Sequence, residues 1–371
     1  MAPINLPAFF TAVFALAVAA HPVWANAQIG IEKNAAAKAN GKATGSPAGA
    51  LYAWREDAMR FAADLAERRD LDPAWASAQL GQAVLLPRIP KLVLPPAVGT
   101  PKNWRVYKSR FIDPVRIGAG AAFWRTHREA LTQAEKEYGV PAQIIVGIIG
   151  VETIYGRDTG NFRVIDALAT LSFDFPIAHP RAAERQAFFR SELEQFLTLH
   201  HRAGSDPLAV RGSYAGAMGL PQFMPSSWVK YAVDFDADGK VDLFTSPVDA
   251  IGSVANYLKA FGWQTGMPTH YPVAFDAQKL DKDALLLPDI LPTFSVASFA
   301  AKGAVLEGAA LSHSGPLALV ELQNGQDAAS YVAGTENFYV ITRYNWSSYY
   351  AMAVIELGRE VAAAVNRSSG N

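Results

Sequence analysis

Glu152 is the residue whose surroundings most clearly favour chemistry. It follows Ile144, Ile145, Ile148 and Ile149, so two isoleucines lie three and four positions before it on one helix face. A carboxyl group there is partly dry, and removal from water favours its neutral form. Such a glutamic acid holds a proton near neutral pH and can give it to a leaving oxygen, the role of a general acid. The competing reading is a glutamate at a helix end that turns to solvent or pairs with Arg157. Gly156, Gly160, Phe162 and Arg163 follow in an irregular segment of the kind that lines a cleft. Asp166, placed before Ala167-Leu168-Ala169-Thr170-Leu171, reads first as a helix N-cap and second as a catalytic carboxylate.

Two further stretches carry polar groups in patterned spacing. The glycine-rich run from Gly212 to Pro225 intersperses Ser213 and Gln222 with small residues, a composition that suits a sugar-lined groove and equally tight helix packing. No nucleophile-elbow motif accompanies Ser213. Asp234, Asp236, Asp238, Gly239, Lys240 and Asp242 place side-chain oxygens at alternate positions with a glycine sixth, the opening of a calcium loop. Thr245 stands where that loop ordinarily has a closing glutamate. Asp249 can close the shell, although Ser246 and Asp249 also read as a helix capping box. Tyr107, Tyr257, Tyr344 and Tyr350 could stack on sugar faces or sit in the core. Tyr257 lies off the stripe of Ile251, Val254, Leu258 and Phe261, so it need not point inward.

Helices must carry most of these groups. Leu51, Trp54, Ala58, Phe61, Ala62 and Leu65 recur at helical spacing, and Asp72-Pro73 opens a second helix with a cap and a proline at its first turn. A proline-rich stretch over 87–101 then links to the next unit. Over 123–138 one apolar stripe runs along a helix that Gly139 stops. Residues 144–151 are hydrophobic on every side yet too short for a bilayer, which marks a buried central helix ending at Glu152. Further helices are expected over 182–200, 247–261 and 348–365. Between about 266 and 341 short β-prone runs appear, with Asn324-Gly325 as a hairpin turn between residues 317–322 and 331–332.

Composition narrows the classes. The 371 residues are 50% hydrophobic and 18% charged with a net charge of −1, which fits a globular chain and argues against nucleic-acid or acidic-membrane partners. Without cysteine there are no disulfides, thiolate metal sites or cysteine-linked lipid. The uncharged stretch over 8–20, followed by Ala25-Asn26-Ala27, fits a cleaved signal peptide, with a flexible leader after it.

In order, Val146-Gly147-Ile148-Ile149-Gly150-Val151-Glu152-Thr153, the run Asp166 to Phe173, Gly212 to Ser227 and Asp249 to Tyr257 resemble the membrane-bound lytic murein transglycosylase B family. The runs Asn337 to Asn345 and Tyr350 to Val354 match it too, so the likeness extends from about Trp104 to Val365. The resemblance implies a mainly α fold: a lysozyme-like helical core, an N-terminal helical domain and a small β-rich domain. Boundaries on that reading are a signal peptide over 1–27, a leader over 28–50 and an N-terminal helical region over 51–101. The catalytic core with its calcium loop follows over 102–265, the β-rich region over 266–340, and a C-terminal part over 341–371 returns to the core.

It also implies cleavage of the bond between N-acetylmuramic acid and N-acetylglucosamine in peptidoglycan, leaving a 1,6-anhydro end. Glu152 would act first as acid and then as base. By the same resemblance Ser213 and Gln222 contact the sugar, and Tyr107, Tyr257, Tyr344, Asn345 and Tyr350 line the groove. Asp234, Asp236, Asp238 and Asp249 would hold calcium, with Lys240 giving a backbone oxygen. Asp236 stands where the family can have serine, and the loop to Asp249 is one residue longer. Adjacent family arginines that meet a peptide or muramyl carboxylate are replaced after Pro176 by an insertion, which leaves Arg181 as the candidate and Arg185 behind it. The expected setting is a soluble, unlipidated periplasmic monomer acting on glycan strands, with cell-wall synthesis or division proteins as further candidate partners.

Overall fold

The computed structural model describes residues 49–95 and 100–369. The expected signal peptide and all but the last two residues of the leader lie outside them. The fold is mainly α, as expected. Helices α1 (Glu56–Arg69), α2 (Pro73–Gly81) and α3 (Ile89–Leu92) come first. They lead to α4 (Trp104–Ser109), α5 (Pro114–Thr126), α6 (Arg128–Tyr138) and α7 (Ala142–Thr153). Two short strands, β1 (Phe162–Arg163) and β2 (Arg211–Gly212), bracket α8 (Val164–Phe173) and α9 (Ala182–Arg202). Then come α10 (Pro225–Tyr231) and α11 (Pro247–Ala260). The β-rich part holds β3 (His270–Pro272), β4 (Ala274–Phe275), α12 (Lys282–Leu286), α13 (Val296–Ala301), β5 (Ala304–Val305), β6 (Ala318–Asn324) and β7 (Asp327–Gly334). Finally α14 (Glu336–Tyr344) and α15 (Ser348–Ser369) close the chain.

Sequence signals set several of these ends. Asp72 caps α2 by accepting from Ala74 N at 2.8 Å, with Pro73 at the first turn. Gly139 ends α6 at φ +70°. The predicted hairpin forms, β6 pairing antiparallel with β7 so that Val320 faces Val332. Asp166 departs from expectation: Arg163 occupies the N-cap of α8 and Asp166 lies inside the first turn. Its buried carboxylate instead pairs with Arg163 at 2.6 Å and accepts from Val84 N at 2.9 Å. A buried carboxylate needs such partners, and tying the N-terminal helices to α8 supplies them.

Apolar side chains gather in three cores. One joins α4–α7, α11, α14 and α15; a second pools residues 52–93 with α8, α9 and Tyr214, Ala215 and Met218; a third fills the β-rich part. Helix α7 is buried along its length except at Gln143 and Glu152. It packs on α15 at backbone contact: a Cβ on Gly147 would stand 2.2 Å from Val354 O, and one on Gly358 2.0 Å from Gln143 O. That approach seats the two helices that meet at the site described next.

Alanine is the better helix former by about 1 kcal/mol. Gly147→Ala is nevertheless expected to lower stability by about 2 kcal/mol, because the methyl group forces the two backbones apart. Urea unfolding measures it; an unchanged or raised midpoint would contradict the close-contact account.

Candidate active site

Glu152 sits one residue before the end of α7, where the chain turns sharply. Ile154 (φ +51°) and Tyr155 (φ +58°) both adopt the left-handed conformation, costly for a β-branched residue such as Ile154. Surrounding contacts hold the turn in place. Thr153 Oγ1 donates to Leu220 O at 2.8 Å, tying the helix end to the glycine-rich segment. Buried Arg116 donates from Nε to Gly150 O at 2.9 Å, a cation on carbonyls at a helix C-terminus. After the turn, Gly160 passes so close to Gly212 that a Cβ would lie 2.2 Å from Gly212 O, and Phe162 pairs with Gly212. The two glycine-rich stretches are thus joined beside the carboxylate.

Glu152 is partly buried, and its one side-chain hydrogen bond comes from Tyr350, whose hydroxyl donates to Oε1 at 2.6 Å. Burial pushes its pKa up to about 7, and the Tyr350 hydrogen bond pulls the other way. No ion pair with Arg157 forms; Arg157 is exposed. Glu152 opens onto a cleft of about 350 Å³ lined also by Gln222, Phe223, Met224, Ser227, Tyr257 and Tyr344. It is the one carboxylate in that lining.

The candidate ligands fall in different places. Gln222 (φ +50°) donates its amide to Thr159 O and Gly219 O, so Oε1 is the atom left for a ligand. Tyr344 donates to Pro221 O, and Tyr257 to Arg343 O at 2.7 Å, so both present rings to the cleft. Tyr257 corrects the helical-stripe reading: it is 6% exposed and packs 4.5 Å from Phe261, because an aromatic cluster with Phe223, Tyr231 and Tyr344 encloses it. Tyr350 is buried, its ring stacked on Tyr344. Tyr107 packs on Trp104, Phe111 and Tyr349, with Glu152 near enough to help raise its pKa, although burial dominates. Asn345 ends α14, buried, with Oδ1 unpartnered.

Ser213 is outside the cleft lining; its Oγ accepts from Ala217 N at 3.0 Å and shapes the turn. Arg181 pairs with Glu184 at the start of α9. One turn on, Arg185 is 7% exposed with its guanidinium over Phe188 and Phe189, no ion pair among the described residues, and Nε unpartnered. Phe223, Met224 and Ser227 were not singled out from sequence, though they belong to the same ordered run as Gln222. Buried Glu192 also escaped notice; it accepts from Ser226 N at 2.8 Å and Ser226 Oγ at 2.6 Å and fixes the start of α10 beside the cleft.

Carboxylate oxygens of Asp234, Asp236 and Asp249 lie within 4.8 Å of one another. That spacing fits oxygens around a calcium ion bound at about 2.3–2.6 Å. Gly239 takes φ +89° at the sixth loop position. Ser246 caps α11 by accepting from Asp249 N, but the reciprocal half of the capping box does not form: Ser246 N–H donates to Asp242 O, and the Asp249 carboxylate accepts from Phe235 N and Asp242 N. Asp238 is exposed and accepts from Lys240 N, outside the converging trio.

Residues 53–359 match the Transglycosylase SLT domain family. The chain belongs to this family of lytic transglycosylases and is an enzyme of that class. Membrane-bound lytic murein transglycosylase B of Escherichia coli is 40% identical over 325 residues, 85% of each chain. The Escherichia coli lytic transglycosylase Slt35 with bulgecin A superposes with a TM-score of 0.76 at 40% identity, over 86% of this chain and 96% of that one. Slt35 has also been solved with calcium. SltB3 of Pseudomonas aeruginosa, in complex with NAG-anhNAM-pentapeptide, is 30% identical with a TM-score of 0.68, over 85% and 80% of the two chains. No helix among the described residues is long and apolar enough to cross a membrane.

A glutamic acid whose pKa is about 7 when folded, against an ordinary 4.5, favours folding while protonated and loses that advantage as pH rises through this window. Relative to wild type, Glu152→Gln should therefore gain on the order of 2 kcal/mol between about pH 4.5 and about pH 8. Urea unfolding at both values tests it; a pH-independent difference would sink the buried-acid assignment.

Proposed function

We propose that the chain cleaves the MurNAc–GlcNAc bond of peptidoglycan without adding water, using Glu152 alone as acid and then base. The observation that carries this is the single carboxylate of the cleft, held protonated near neutral pH by burial. Glu152 gives its proton to the glycosidic oxygen as the bond to C1 breaks. The resulting carboxylate then takes the proton of the muramyl C6 hydroxyl as that oxygen bonds to C1, which closes the 1,6-anhydro ring. An inverting or retaining glycosidase needs a second carboxylate across the bond. Asp166 is committed to Arg163 and Val84, and Asp158 is exposed and outside the cleft lining.

Tyr350 orients the acid, and Gln222 Oε1 and the Tyr257 and Tyr344 rings receive the sugar. Ser213, Tyr107 and Asn345 shape the groove around them. Arg181, at the start of α9 in a partly exposed pair with Glu184, is the candidate to meet a substrate carboxylate, whereas Arg185 is buried against Phe188 and Phe189. Asp234, Asp236 and Asp249 hold a structural calcium, with Asp238 and the Lys240 backbone oxygen completing the loop. The enzyme works in the periplasm as a soluble monomer.

Mass analysis of fragments released from peptidoglycan is expected to give anhydro-muropeptides with wild type and a loss of activity of about a thousandfold or more with Glu152→Gln. Reducing, water-added products would show a muramidase instead. Calcium returned to chelated protein is expected to raise the unfolding midpoint in a concentration-dependent manner. A midpoint indifferent to calcium removes the structural role.

A further inference from the structure

The three-stranded sheet runs β3–β7–β6, so β6 is an edge strand. That edge is covered at both ends. Leu317 exchanges backbone hydrogen bonds with Phe294, at 2.8 and 3.0 Å. At the other end Gln323 donates N–H to the Tyr349 hydroxyl at 2.8 Å and accepts from it at 3.2 Å, and Asn103 bridges Asn324. Backbone groups of alternate residues in a strand point the same way. Leu319 and Glu321, lying between Leu317 and Gln323, therefore turn their N–H and C=O groups to the same edge, in the gap between the two pairings.

The gap is a cleft of about 560 Å³, larger than the one at Glu152. Lys102, Asp289, Ile290 and Tyr349 line it together with Leu319 and Glu321. It therefore offers the Lys102 ammonium group and the exposed Asp289 carboxylate in a mainly polar lining, while the Glu321 carboxylate is already engaged by the Tyr331 hydroxyl and the Gln323 amide. A pyranose would want an open aromatic face, and Tyr349 has none to give. Its ring meets Trp104 and Tyr107 edge-on, Lys102 stands 5.9 Å over it, and its hydroxyl is held by Gln323. Unpaired strand edges and charges of both signs are instead what a short extended peptide recognises. Tyr349 also joins this cleft to the catalytic one: the next residue, Tyr350, holds Glu152, and Tyr107 packs against Tyr349.

We infer that this gap binds the peptide stem of the peptidoglycan strand as an added strand on β6. About two or three stem residues pair with Leu319 and Glu321. Stem carboxylates meet Lys102, and stem amino groups meet Asp289. The inference rests on the peptidoglycan reading above and names a second contact of the same substrate.

The test uses the full chain, Lys102→Glu and Glu321→Pro; proline at 321 removes an N–H that faces the gap and leaves the backbone ladder to β7, although the Glu321 side-chain bonds to Tyr331 and Gln323 go with it. Lys102 is exposed, so its replacement tests the site even if the proline variant misfolds. First, peptides released from peptidoglycan by an amidase are titrated into each protein without any cleavage assay. Saturable binding to wild type, weakened about tenfold in Lys102→Glu, is expected for a lost charged hydrogen bond. Second, the ratio of KM for intact peptidoglycan to KM for peptide-free glycan strands should rise about fivefold in both variants, with kcat on intact material within about twofold. No peptide binding to wild type overturns the inference. An equal KM rise on peptide-free strands also overturns it and assigns the gap to the sugar chain. Peptide binding by a wild type that cleaves neither substrate leaves this site standing and removes the transglycosylase reading.

Discussion

Everything at the candidate site depends on keeping one carboxyl group dry while leaving it reachable. Glu152 meets that requirement because α7 is buried from Ile144 to Val151 and then stops abruptly. Desolvation raises the acid, and a single hydroxyl hydrogen bond from Tyr350 restrains the shift without replacing the lost water. A cation beside it would have returned the group to an ordinary carboxylate. Arg116, which reaches Gly150 in the same helix, is directed at backbone carbonyls and at Asp113 instead.

The rest of the fold serves that arrangement. Glycine contacts let α7 and α15 approach until Tyr350 reaches Glu152. The left-handed turn at Ile154 and Tyr155 releases the chain toward the glycine-rich segment, which Thr153 and Tyr344 hold from opposite sides. Glu192 fixes the next turn of the wall through Ser226. Several polar groups that look available for a ligand in sequence are thus committed to shaping the cleft.

That commitment explains what could and could not be read beforehand. Helical periodicity and caps located α2, α7 and α11, and the isoleucine pattern singled out Glu152, because local spacing decides these features. Asp166 was misread as a cap because its partners, Val84 and Arg163, are supplied by the fold and by a boundary three residues earlier. The position of Tyr257 failed for a related reason: an aromatic cluster from three distant segments encloses a face that one helix alone leaves open. That Arg181 has Glu184 beside it while Arg185 lies buried against Phe188 and Phe189 is a fact of the fold that family likeness does not carry. Acidic spacing over 234–242 marked carboxylates as candidate ligands, but only folding brings Asp249 from the next helix to Asp234 and Asp236.

The Glu152–Tyr350 contact joins residues 198 positions apart. Between them the chain leaves the helical core, builds the β-rich part and comes back through α14 and α15. The acid and the hydroxyl that restrains it therefore belong to opposite ends of the synthesis. A chain that stops before α15 lacks Tyr350 and the helix packed beside Glu152, and a carboxyl group left in water keeps an ordinary carboxylate's preference for the charged form. The environment that keeps this carboxyl group protonated near neutral pH is thereby tied to completion of the polypeptide.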